Sequence, residues 1–272
     1  MSWATPVALS IAGSDSSAGA GLQADLKTFS ALGVYGATVV TAITAQNTKG
    51  VTATHVLPPD IVSAQIDAVC SDLCIRAVKT GMLGKEGCVI AVAEALQRWA
   101  AGVPIVVDPV MVSTSGSRLL DKDAVTALTA QLLPLASLLT PNIQEAAALL
   151  DMQPAQNEGD AREQAARLLA LGPKAVLIKG GHAKGADAID FFYDGSTFRA
   201  YSAPRIPAKN THGTGCTLAS AIAAYLVKGL PMQDAIAQAK IYLQGAIERA
   251  GEFEIGAGAG PLPHFYRQTP PA

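Results

Sequence analysis

Charged residues make up only 15% of this 272-residue chain, and it has four cysteines. Cys70, Cys74, Cys88 and Cys216 are too sparse and too irregularly spaced for a disulfide scaffold, and none belongs to a C-x-x-C pair. Cys70 and Cys74 stand four apart in a helical stretch, but no neighbouring His completes a tetrahedral metal site, so both read as small core residues. The 20 basic residues, against 22 acidic, form no run. That removes the electrostatic footprint of nucleic-acid binding or of docking on an anionic membrane. No apolar stretch reaches the length of a spanning helix, and Met1-Ser2-Trp3-Ala4-Thr5-Pro6 lacks the basic region of a secretory signal, so the cytoplasm is the expected compartment. A Walker loop, G-x-x-x-x-G-K-[ST], is also absent.

Half the residues are hydrophobic, a balance suited to a sheet buried on both faces. Short apolar runs rich in β-branched residues recur at 7–12, 38–44, 77–80, 105–107, 138–140 and 176–178. Between them lie helical patterns at 22–32, 59–73, 86–101, 121–133, 143–150 and 161–171, mostly closed by Gly or Pro. This alternation predicts a three-layer α/β/α sandwich with a mostly parallel central sheet. After Lys179 the rhythm changes: Asp194-Gly195 between two alternating stretches, 187–193 and 197–201, predicts an antiparallel edge hairpin. Two helices, 214–228 and 232–250, and a Gly/Pro-rich tail complete a single domain over 1–272.

Ligands of an open parallel sheet bind beyond the carboxyl ends of its strands, so the residues after each apolar run are the candidates for chemistry. The first such loop, 13–21, runs into Gly19-Ala20-Gly21-Leu22-Gln23-Ala24, which satisfies the dinucleotide fingerprint G-x-G-x-x-[GA]. A nicotinamide site also needs an acid near the end of the second strand to hold the ribose, and no Asp or Glu occurs from Leu26 through Pro59. Gly213-Thr214-Gly215-Cys216 leads directly into a helical pattern. Such a turn either starts a helix and nothing more, or aims several backbone N–H groups at one phosphate.

The surrounding residues carry a resemblance. The strand and loop 11–21, Asn142-x-x-Glu145, Lys179-Gly180-Gly181-His182 and the run 210–216 resemble, in this order, the ribokinase-like superfamily. Within it, runs 23–29, 45–48, 81–83, 108–111 and 211–216 are similar to the bacterial hydroxymethylpyrimidine/phosphomethylpyrimidine kinases, and the match extends to 256–265. The resemblance implies two successive transfers from ATP, to a hydroxymethylpyrimidine and then to its monophosphate, on the route to thiamine. It also implies Mg²⁺ and a homodimer. Gly213, Thr214, Gly215 and Cys216 would hold the transferring group, with Cys216 as base where most of the superfamily carries Asp. A thiol at a helix N-terminus is expected to have a lowered pKa, giving an appreciable thiolate population. Gln46, whose amide offers an acceptor and a donor side by side, would read the aminopyrimidine edge. Met82, Val110 and Gly13 would complete the ring site, with Asp25 lining it. Lys179, Asn142 and Thr211 would meet the nucleotide, and Glu145 and Asp108 the metal. His212 is read as shaping the loop, with no proton-transfer role. The runs 113–118 and 183–186 are candidate mobile loops.

Three rival readings stand beside this one. A pyridoxal kinase of the same fold shares the phosphate machinery and a hydroxymethyl acceptor, and Gln46 with Ser113-Thr114-Ser115-Gly116 favours the pyrimidine. Cys216 on an anion hole could instead serve acyl transfer, which needs an oriented His from among His55, His182, His212 and His264. A non-enzymatic pyrimidine-binding protein is the third.

Overall fold

The computed structural model describes residues 5–111, 120–181, 185–208 and 210–268. Among these, nine strands form one sheet in the order β3-β2-β1-β4-β5-β6-β7-β8-β9. Strands β1 (Val7–Asp15), β2 (Tyr35–Asn47), β4 (Ile75–Thr80), β5 (Ile105–Val107), β6 (Leu138–Leu139) and β7 (Val176–Ile178) run parallel. β3 (Gly50–Val56) and the pair β8 (Asp187–Tyr193) and β9 (Phe198–Pro204) are antiparallel at the two edges.

The strands alternate between two cores, as the two-residue period of a pleated strand requires. Leu9 and Ile11 of β1, Val78 of β4, Ile105 and Val107 of β5 and Val176 and Ile178 of β7 face one side. There they pack on α2 (Pro59–Asp72), α3 (Glu86–Trp99), α4 (Lys122–Ala127) and α6 (Glu158–Leu169) through Ile66, Val92, Ala124 and Leu168. Ala8, Ala77, Val106, Leu138 and Leu177 face the other side. They meet α1 (Gly21–Ala31), α7 (Thr214–Val227) and α8 (Met232–Glu248) through Phe29, Ile222 and Tyr242. Phe29 is wholly buried, a burial of the kind that stabilises by about 1.5–3 kcal/mol.

Three local features depart from the sequence-based expectation. β2 continues to Asn47 and folds back through Thr48 and Lys49 into β3, a strand whose mostly exposed residues carry no buried-core signal. The β8–β9 turn spans four residues, because the Asp194 carboxylate accepts from the Ser196 and Thr197 amides and draws both into the loop. The helix expected over 121–133 is α-helical only to Ala127, then widens into a π turn over Leu128–Leu132 before Pro134. Residues 113–118 lie outside the described residues, as do Ala183 and Lys184 of the second candidate loop.

Candidate active site

The carboxyl ends of the six parallel strands open into one cavity of about 880 Å³. It takes in the ends of β1 and β4, between which the chain's direction of travel across the sheet reverses, the usual place for a ligand in such folds.

Two helices start at this cavity without a side-chain cap, α1 after Ala20 and α7 after Gly213. The Gly21 amide serves Cys216 and the Thr214 amide reaches the Thr211 carbonyl at 3.4 Å, and the macrodipoles of both helices favour an anion at these ends. The two entry loops lean on each other. Gly213 has φ +82°, and a Cβ there would run into the Gly19 carbonyl oxygen. The Asp15 carboxylate ties the first loop together, accepting from the amides of Ser17 (2.8 Å), Gly19 (3.1 Å) and Ala20 (2.8 Å) and from the Ser17 hydroxyl (2.7 Å). It also meets His212 Nε2 at 2.8 Å, joining the β1 loop to the α7 loop. Burial would raise this carboxyl, but the hydrogen bonds from His212, Ser17 and Ala20 outweigh it and hold the pKa at about 2.

Thr214, Gly215 and Cys216 line the cavity at the start of α7, with Thr211 and Gly213 beside them. The thiolate expectation for Cys216 does not hold. Burial of the thiol, reinforced by the Asp25 and Asp108 carboxylates, prevails over the Lys79 ammonium and the Gly21 amide and pushes its pKa up to about 11. The helix end lowers a thiol's pKa only where opposing carboxylates and desolvation are weaker than they are here.

Asp25, expected at the ring site, stands apart from the cavity lining. It sits on the inner face of α1, fully buried and off the cavity wall, where it accepts from Ser10 (2.5 Å), Ser220 (2.6 Å) and Lys79 (2.9 Å). Ser220 stands one turn beyond Cys216, so this network braces α7 beneath its reactive end. Lys79, at the cavity floor, has no accessible surface. Burial would lower its pKa, yet the carboxylates of Asp25 and Asp108 and the Cys216 sulfur raise it, so it stays a cation.

On the next strands, Asp108 Oδ1 receives Lys179 Nζ at 2.6 Å and the Thr140 hydroxyl at 3.3 Å. Burial opposes the charge on Lys179, but Asp108 and Glu145 raise its pKa. Asn142 and Glu145 form a capping box on α5 (Ile143–Leu150), each side chain receiving the other's amide at 2.8 Å. Burial raises the Glu145 carboxyl, with Lys179 pulling the other way and Asp108 adding to the rise. Among the described residues no three His, Cys, Asp or Glu side chains converge as a metal cage. Asp108 and Glu145 both face the cavity with part of their lone pairs already taken. Such a set fits Mg²⁺ held mainly by waters and phosphate oxygens.

Gln46 lies on the β2 extension, beside a register shift that leaves Thr52 of β3 unpaired. Its amide is 3.2 Å from His212 Nε2 and 3.1 Å from Thr44 Oγ1. Met82 and Val110 line the same cavity, and a Cβ on Gly13 would strike the Met82 methyl group. The lining also holds Lys240, which reaches Asp190 at 2.5 Å, with Ile206, Leu243 and Ile247. The cavity thus gathers every expected site residue except Asp25. Sequence reasoning missed Asp15, Lys79 and the Lys240–Asp190 pair. Lys79 alone carried a visible signal, a charge in the middle of a strand buried on both faces.

A parallel sheet with antiparallel edges and two uncapped helix ends at its switch point defines a ribokinase-like phosphotransferase. The family model described as phosphomethylpyrimidine kinase matches residues 15–263, and the chain belongs to that family. The hydroxymethylpyrimidine/phosphomethylpyrimidine kinase of Rhizobium meliloti is 56% identical over 97% of this chain and 98% of its own. The solved phosphomethylpyrimidine kinase of Clostridium difficile is 45% identical, covers 89% of this chain and 99% of its own, and superposes with a TM-score of 0.78. A pyridoxal kinase of Staphylococcus aureus, solved with AMP-PCP and pyridoxal, is 34% identical over 97% of this chain and 95% of its own, with a TM-score of 0.88.

Proposed function

We propose that this chain transfers phosphoryl groups from ATP to 4-amino-5-hydroxymethyl-2-methylpyrimidine and then to the resulting monophosphate, yielding the diphosphate used in thiamine biosynthesis. The observation that carries this reading is that Gln46, with a donor and an acceptor suited to an aminopyrimidine edge, shares one cavity with the uncapped start of α7.

Phosphoryl transfer asks little covalent chemistry of a protein, so positioning and charge dominate. The amides of Gly213, Thr214, Gly215 and Cys216 hold the transferring group, while Lys179, Asn142 and Thr211 hold the nucleotide. Met82, Val110 and Gly13 sandwich the ring that Gln46 reads. Asp108 and Glu145 would hold Mg²⁺, which would supply charge neutralisation for the phosphates. Cys216 Sγ takes the hydroxyl proton. With its pKa at about 11 the sulfur is a thiol at neutral pH and only about one molecule in ten thousand carries the thiolate, which a loose transition state tolerates because the proton leaves late.

The family resemblance also supports a cytoplasmic homodimer. No helix among the described residues is long and apolar enough to cross a membrane, and sedimentation would give the oligomeric state. Acyl transfer finds no support, since among the described residues the side-chain hydrogen bonds of His212 and His264 run to Asp15, Gln46 and Thr217 and none to Cys216. Side-by-side assays of Mg-ATP with hydroxymethylpyrimidine, its monophosphate and pyridoxal test the proposal. Turnover of both pyrimidines above pyridoxal is expected; a preference for pyridoxal, or binding without ADP release, overturns it.

A further inference from the structure

Three side chains from three parts of the chain meet at one nitrogen. His212 Nε2 lies 2.8 Å from Asp15 Oδ2 and 3.2 Å from the amide end of Gln46. Asp15 already accepts four hydrogen bonds from Ser17, Gly19 and Ala20, an environment that keeps it ionised and acceptor-only. Nε2 of His212 must therefore carry the proton that faces it. An amide nitrogen of Gln46 at the 3.2 Å position would set donor against donor. Turning the carboxamide by half a rotation puts Oε1 there as a second acceptor for that N–H.

Thr44 leads independently to the same orientation. Its hydroxyl has one hydrogen, and the Ser14 carbonyl at 2.8 Å takes it. What Thr44 Oγ1 then offers Gln46, 3.1 Å away, is a lone pair, which needs the amide nitrogen. With oxygen toward His212 and nitrogen toward Thr44, Gln46 keeps one lone pair and one N–H for a ligand, in a fixed left-to-right order. Glycine at position 19 lets the imidazole lie against the first loop, since a Cβ there would meet the ring.

We propose that His212 is a specificity-determining positioning residue, whose Nε2–H, aimed by Asp15, fixes the Gln46 carboxamide and so sets the donor–acceptor order a ring substrate must present. This rests on the reading of Gln46 as the ring-recognition residue. An aminopyrimidine edge, ring nitrogen acceptor beside exocyclic amino donor, matches one order. The 4-oxo analogue, with ring N–H beside a carbonyl, presents the reverse.

The test compares kcat/KM for the 4-amino substrate and its 4-oxo analogue in wild type, His212→Phe, His212→Gln and Gln46→Ala. The wild type should prefer the amino form by about tenfold or more. Phe at 212 should erase most of that ratio, and Gln at 212, which returns an N–H donor, should restore part of it; a role in folding alone would lower both substrates together. Loss of the ratio in Gln46→Ala but not in His212→Phe overturns the role of His212. Retention of the ratio in Gln46→Ala overturns the reading of Gln46 itself. Nitrogen-15 NMR of wild-type His212 is a check independent of any variant's folding: a protonated Nε2 is expected, and an unprotonated one contradicts the proposal.

Discussion

Lys79 Nζ lies 2.9 Å from each carboxylate oxygen of Asp25, with neither side chain exposed to solvent. Two charges taken fully out of water hold together only while both are present, because either alone is a buried, unpaired ion. Lys79→Ala and Asp25→Ala should each destabilise the protein by about 3–5 kcal/mol in urea unfolding. The double variant Lys79→Met/Asp25→Leu should recover much of the loss, and single changes with the small effects of surface substitutions would contradict this account of the pair.

Asp15 links the first loop to pH. Its folded pKa of about 2 lies below its ordinary 3.8, so its contribution to stability is fully present above about pH 4 and disappears as the pH falls through about 2. The acid limb of thermal stability should therefore be shallower in Asp15→Asn than in the wild type. Parallel acid limbs would mean that the carboxylate is not held as described.

For Cys216 the sign is reversed. A thiol with a pKa of about 11 is protonated at neutral pH, so its alkylation by iodoacetamide, located by peptide mapping, should be slow at pH 7 and still rising at pH 10. A plateau below pH 8 would show that the helix end prevails over burial. Cys216→Ala should reduce kcat by about a hundredfold or more while leaving the KM for ATP within about threefold.

Gln46→Ala removes a contact made in both the ground and transition states. It should raise the KM for hydroxymethylpyrimidine by about tenfold or more with a smaller effect on kcat. A loss confined to kcat would place Gln46 at the phosphoryl group and away from the ring.

The parallel core was legible because strands buried on both faces write themselves as unbroken apolar runs, as at 105–107 and 176–178. β3 was not, since an edge strand with exposed residues such as Thr52, Ala53, Thr54 and His55 carries no such signature. The same division runs through the site. Gly213 to Cys216 and Gln46 stand in recognisable local patterns. Asp15 and His212 are 197 residues apart and acquire their meaning only when two loops touch. The raised pKa of Cys216 escaped the sequence for a related reason: the helix end is local and visible, whereas the burial of the thiol and the Asp25 and Asp108 carboxylates come from packing between elements.

The most direct measurement of the central claim is the number of ADP molecules released per hydroxymethylpyrimidine consumed when ATP is in excess. Two successive transfers at one cavity predict a ratio of two, with the diphosphate as the final product. A ratio that stops at one with the monophosphate accumulating, or no ADP above the pyrimidine-free background, would contradict it.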